Sequence, residues 1–126
     1  MLSYVTIGTN DLERAGKFYD AVLAVLGGKR SQEGVRMIKW SGKPGTGSVA
    51  VIVPFDKNPA TVGNGTMLSL DAGDPETVQA VHAKAIEMGA TDDGAPGPRG
   101  TGSFYGGYLR DADGNKLVAF CLHDAK

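Results

Sequence analysis

Tyr4–Leu26, YVTIGTNDLERAGKFYDAVLAVL, and Met67–Met88, MLSLDAGDPETVQAVHAKAIEM, carry the same order of polar, apolar and capping residues. Tyr4 falls on Met67 without gaps, a shift of 63 residues in a chain of 126. Asp11 then meets Asp74, Glu13 meets Glu76, Phe18 meets Val81 and Leu23 meets Ile86. Only the acidic pairs are identities, so the repeat lies in the pattern rather than the letters. A unit repeated at half the chain length reads as a duplicated supersecondary module.

Each copy opens as a strand and continues as a helix. Val5 and Ile7 alternate with Tyr4, Thr6 and Gly8, the period-2 sign of a strand with one apolar face. Asn10 is the expected helix cap, with Glu13 three residues on to complete a capping box. Leu12, Ala15, Phe18, Tyr19, Val22 and Leu26 recur at helical spacing, and Gly27-Gly28 ends the run. In the second copy Asp74 caps, Pro75 takes the first helical position, and Val78, Val81, Ala85 and Met88 form the stripe up to Gly89.

Three strands follow each helix. In the first copy they are 29–33, 35–41 and 48–53, with a turn at Gly34 and a glycine-rich bend, SGKPGTGS, at 41–48. Pro54 ends the last strand, having no amide hydrogen for a ladder. In the second copy a weak strand at 90–95 precedes a loop at 94–103, then strands at 104–110 and 116–122 are joined by the turn DADGN. The fold class is α+β, two tandem βαβββ modules: module 1 (1–54), a linker (55–65) and module 2 (66–126).

A half-chain this small buries only about 60% of its extended surface, so two halves gain by sharing an interface within one domain. The formal charge of −1 and pI near 6.1 offer no pull toward nucleic acid or an anionic membrane. No stretch approaches a membrane span, and the opening residues lack a basic segment followed by a long apolar run. The lone cysteine, Cys121, excludes an internal disulfide and fits a reducing compartment. A cytoplasmic protein is expected.

SYVTIGTNDLERAGKFYDAVL, GNGTMLSLDA and YLRDADGNKLVAFC, in this order and spacing, resemble the vicinal oxygen chelate superfamily, also called the glyoxalase, bleomycin resistance and dioxygenase group. The likeness covers essentially the whole chain. It implies paired βαβββ modules whose sheets curl around a central cavity, usually in a homodimer. It also implies one divalent ion, held by first-strand histidines and late carboxylates, that chelates adjacent substrate oxygens. At those positions this chain has Tyr4, Met67 and Val118, none a usual ligand for such an ion. With only two histidines in the chain, a site needing about three converging ligands is hard to assemble. No cofactor is expected, and His82 reads as a buried, hydrogen-bonded helix residue and His123 as exposed.

Strand parity turns Tyr4, Thr6, Met67, Ser69, Val118 and Phe120 toward the cavity, and places Leu117, Ala119 and Cys121 against the helices. Trp40, Tyr105, Tyr108, Arg36 and Arg110 are further candidates for the ligand wall, and each aromatic reads equally as core or dimer interface. Arg99, in the loop GPRGTGS, could reach in from a flap. Neither glycine-rich loop opens a helix, so neither is a phosphate cradle. If the protein is an enzyme, Tyr4 is the candidate general acid or base, although a phenol with pKa ~10 needs strong perturbation to serve near neutrality.

The leading expectation is a metal-free member of the group that binds a small organic molecule. The alternatives are a metal-dependent lyase of glyoxalase I type or an extradiol-type dioxygenase, and a dimeric interaction module without turnover.

Overall fold

A computed structural model describes residues 1–122. Its elements run β1 (Tyr4–Gly8), α1 (Leu12–Ala24), β2 (Lys29–Glu33), β3 (Met37–Ser41), β4 (Ser48–Ile52), β5 (Leu68–Asp71), α2 (Pro75–Glu87), β6 (Thr91–Pro98), β7 (Phe104–Arg110) and β8 (Lys116–Leu122). They form two four-stranded mixed sheets of identical topology, β1-β4-β3-β2 and β5-β8-β7-β6. This is the tandem βαβββ arrangement expected from the repeat. In each sheet the first strand pairs in parallel with the last and has no neighbour on its other side.

Parity decides what is buried. Val5, Ile7, Ile38, Trp40 and Val51 face α1, while Leu70, Leu109, Leu117, Ala119 and Cys121 face α2. The helices return Phe18, Tyr19, Val22 and Leu23 from α1, and Val78, Val81 and Ala85 from α2, into one continuous apolar cluster. The helices also pack on each other, so neither module has a closed core of its own. Each large aliphatic side chain buried there contributes about 1.5–3 kcal/mol.

Several sequence expectations are corrected. Asp11, not Asn10, caps α1, its side chain accepting from the Arg14 amide; Asn10 is spent on the linker, where its Oδ1 accepts from Ala60 N at 2.7 Å. Met88 lies beyond the end of α2 and is partly exposed rather than part of the buried stripe. Strand β3 begins at Met37, because Val35 projects fully into solvent from the turn. Strand β6 runs to Pro98, through half of the segment expected to be loop; its register shifts at two irregularities, which absorb its glycines and prolines. Among the described residues no helix is long and apolar enough to cross a membrane. His123 lies outside the described residues.

Candidate functional site

Two features of the module junction build the site: a latch at one end and an open seam at the other. The latch is the turn between β7 and β8. Asp111 accepts backbone hydrogen bonds from Asp113 and Asn115 through Oδ1, and bonds from the Asn115 amide and the Tyr19 hydroxyl through Oδ2, the last at 2.6 Å. Asp113 accepts from the Thr9 hydroxyl at 2.6 Å and the Asn10 amide at 2.9 Å, and pairs with Arg14 at 2.8 Å. Asn115 donates to Gly8 O at 2.9 Å. The end of β1 and the start of α1 are thereby bound to module 2. Burial, with Asp111 and Asp113 beside it, raises the Tyr19 phenol well above its ordinary value, so it donates throughout the physiological range.

The latch sits beside the start of β8, hence beside the start of β5, so β1 and β5 run antiparallel along the seam. The topological counterpart of the latch turn in module 1 is SGKPGTGS, between β3 and β4. It has no carboxylate to bind the end of β5, and the seam holds a cleft of about 540 Å³ beside it. No Cα of β1 lies within 8 Å of a Cα of β5. On the helix side the cleft is apolar, lined by Val5, Leu23, Leu26, Leu68 and Leu70. On the other side stand Tyr4, Met67 and Ser69, all exposed, and among the described residues Lys43 and Asp71 bring the only charges to the lining. Ser41 and Ser48 line the bend end and form a hydroxyl chain with Ser31, at 2.7 and 2.8 Å. The Lys39 ammonium lies 5.1 Å from the centre of the Tyr4 ring.

The predicted site residues divide into three groups. Tyr4, Met67 and Ser69 meet at the cleft, with Thr6 next along the same face of β1. Tyr108, Arg110 and Phe120 share the face of module 2 turned away from α2, with Arg99 folded over it. There the Tyr108 ring lies between the Arg99 guanidinium and the Lys116 ammonium, at 5.5 and 5.3 Å, and Phe104 stacks on Phe120 at 5.3 Å. Arg99 is tied to the backbone at Ala95 and Pro98 as part of the strand end, not of a flap. Arg110 pairs with Asp93 at 3.3 Å.

The third group does not form a ligand wall. Trp40 is 2% exposed on the α1 side, its indole N–H donating to Asp20 at 2.8 Å, and it touches the cleft only as part of the core beneath it. Tyr105 faces α2, its hydroxyl accepting from Gln79 at 2.8 Å. Arg36 donates to Val53 O and covers the Phe55 ring. Val118 has the expected parity but is wholly buried, so it lies beneath the surface rather than on it. His82 is 8% exposed, its Nε2 3.0 Å from Asp92 and 3.2 Å from Tyr108 O, as the reading of a buried, hydrogen-bonded helix residue requires.

The donor set does not fit a divalent ion. A phenol, a thioether and a buried isopropyl group hold the positions that the resemblance assigns to ligands, and among the described residues no three His, Cys, Asp or Glu side chains converge elsewhere. The sequence reading missed Lys43, Asp71, Ser41 and Ser48. Parity places Asp71 on the face of Ser69, whereas Ser48 comes beside Tyr4 through the parallel register of β1 with β4.

Comparison with known proteins agrees with this architecture. Residues 4–123 match the family model of the glyoxalase-like domain. A glyoxalase/bleomycin resistance protein from Albidiferax ferrireducens T118 is 39% identical over 96% of this chain and 98% of its own, with a TM-score of 0.87. The chain therefore belongs to the glyoxalase/bleomycin resistance/dioxygenase superfamily. A family enzyme from Burkholderia phytofirmans PsJN (22% identity, 95% and 97% coverage, TM-score 0.75) and a glyoxalase-related enzyme from Fulvimarina pelagi (18%, 96% and 87%, 0.73) share the fold. No curated protein matches the chain.

Proposed function

We propose that this protein binds a small organic molecule in the cleft between its modules, without a divalent ion at the positions used by metal-dependent members of the superfamily. The observation that carries the reading is the cleft itself. Its volume of about 540 Å³ lies in the range of drug-sized ligand sites, it is mainly apolar, and a few polar groups converge at one end. The three candidate ligand positions carry neither an imidazole nor a carboxylate, which argues for binding by shape, apolar contact and hydrogen bonding.

In this reading the protein is a cytoplasmic homodimer. Phe55 and Leu122, both largely exposed, are apolar surface for a second copy to cover.

A thermal-shift screen with aromatic and anionic metabolites tests the proposal. A ligand that binds only the native state stabilises it by RT ln(1 + [L]/Kd), so a hit raises Tm in a dose-dependent way. A rise that disappears on Leu26→Asp, at the cleft, supports the site. Stoichiometric metal in protein purified without chelator, with loss of ligand binding on chelation, would overturn the metal-free part.

A further inference from the structure

The backbone at the seam narrows the chemistry of that ligand. In a parallel pair, alternate residues of a strand turn both N–H and C=O to the neighbour, and the intervening residues turn theirs to the opposite edge. Ser48 N donates to Ser3 O and Thr9 N donates to Ile52 O, so the odd-numbered residues of β1 serve β4. The N–H and C=O groups of Tyr4, Thr6 and Gly8 therefore point into the seam. Gly8 O confirms the phase, since it is the group Asn115 reaches from across the junction.

The same logic holds for β5. Ala72 N donates to Phe120 O, so Leu68, Leu70 and Ala72 serve β8, and the backbone of Ser69 and Asp71 faces the seam. Two strand edges thus confront each other in the middle of the molecule. Between Tyr4 and Thr6 on one side, and Ser69 and Asp71 on the other, no backbone hydrogen bond is made among the described residues.

Their separation is informative. Direct pairing would bring the strands to about 4.8 Å, whereas two strands flanking a third stand about 9.6 Å apart. All β1 to β5 Cα distances exceed 8 Å, which excludes a shared ladder and is compatible with one inserted strand. The cleft occupies this gap, and its side chains alternate as an inserted strand requires. Leu23, Leu26, Leu68 and Leu70 form the helix-side wall, and Tyr4, Met67 and Ser69 the opposite one.

We propose that the seam is a slot for an extended, amide-bearing ligand, a peptide of about three residues with an apolar side chain, which pairs with the free edges of β1 and β5. The apolar side chain enters the leucine-lined half of the cleft. The peptide amides bond the backbone of Tyr4 and Thr6 on one edge and of Ser69 and Asp71 on the other, completing a continuous sheet across both modules. Lys43, which makes no ion pair among the described residues, stands at the open end to meet a terminal carboxylate. The Asn115 cap on Gly8 O closes the other end, which limits the length to about three residues at roughly 3.3 Å each. This inference rests on the proposal that the cleft is a ligand site and specifies what enters it.

The test uses the full chain, acetyl-Ala-Leu-Ala as probe, its fully N-methylated counterpart, and decanoate as an apolar carboxylate without amides. Saturation with the peptide is expected to slow hydrogen exchange at the Thr6, Ser69 and Asp71 amides at least tenfold. N-methylation is expected to weaken binding at least tenfold. Stabilisation by decanoate, with no binding of the peptide, would leave the cleft a ligand site and overturn the strand-insertion slot. No binding of either would count against both readings. Equal binding of the two peptides, or protection confined to other amides, would overturn the slot alone.

Discussion

Tyr19 and His82 occupy equivalent positions in the two modules, yet they fasten different things. The Tyr19 hydroxyl crosses the junction to Asp111 at 2.6 Å, whereas His82 stays within its own module, bonding Asp92 at 3.0 Å. The duplicated helix thus brings a polar side chain to the same place twice, and only one copy is used to hold the halves together. That asymmetry explains why one end of the seam is closed and the other is open.

Removal of the crossing bond should be felt in both modules. Tyr19→Phe leaves the Asp111 carboxylate, 7% exposed, without its phenol donor. The expected loss is about 1–3 kcal/mol, read from urea unfolding with an unchanged m-value. Asp111→Asn should cost less in the Tyr19→Phe background than alone, since the two side chains share one interaction.

Asp113 makes the second half of the latch, with its side chain 5% exposed and three donors from module 1 converging on it. Asp113→Ala strands the Thr9 hydroxyl and the Asn10 amide and frees Arg14. A loss of roughly 2–3 kcal/mol is expected. Native-state hydrogen exchange should show faster opening at the end of β1 and at the start of α1, with the β6–β7 ladder less affected.

How much of this was legible in the sequence follows from the range of each interaction. The strand and helix order could be read because Val5 and Ile7, or Val78, Val81 and Ala85, report their own faces through local periodicity. Asn10 and Asp11 are both good caps and stand side by side; the choice is made by Ala60, fifty residues away, which takes the Asn10 side chain. As aromatics, Trp40 and Tyr105 read equally as ligand wall or as core; strand parity turns them to the helices, where Asp20 and Gln79 satisfy their polar tips. DADGN was legible as a turn, but its role as a latch was not, because its partners Thr9, Arg14 and Tyr19 lie about a hundred residues earlier. A cavity is implied by the family resemblance, and Tyr4, Met67 and Ser69 are legible as its lining, but its opening at this end of the seam is not, because it lies where the counterpart of that turn lacks carboxylates.

Acid should weaken the first module through Asp20. Hydrogen bonds from Arg30, and a further one from Trp40, hold its carboxyl below the ordinary value of 3.8 against a smaller opposing effect of burial. A carboxyl depressed in the folded state contributes stability that is complete above that ordinary value and is lost as pH falls through the folded one. Wild-type Tm is therefore expected to drop below about pH 4. Asp20→Asn should lower Tm at pH 7 and leave a shallower fall in acid. An acid limb identical to that of the wild type would remove Asp20 as its source.

Gly106 sits where the aromatic face of module 2 is tightest. A Cβ there would lie 2.8 Å from Phe104 Cε1 and 3.2 Å from Val118 Cγ2, so the Phe104 and Phe120 rings could not keep their stack. Gly106→Ala should cost about 1–3 kcal/mol by overpacking and change the near-ultraviolet circular dichroism, with the far-ultraviolet spectrum preserved.

Cys121 offers a direct measure of core integrity. Its side chain is 1% exposed against α2, and burial pushes the thiol up from its ordinary value, with Asp74, Asp71 and Glu76 adding in the same direction. Low access and a disfavoured thiolate both suppress attack on a disulfide reagent. In native protein the thiol should react with an aromatic disulfide only through opening of the core. Its rate should rise with urea in parallel with the unfolding equilibrium, and Asp113→Ala should accelerate it by the factor that mutant's stability loss dictates. A fast reaction in native buffer, independent of urea, would place the thiol outside the core and contradict the packing of β8 against α2.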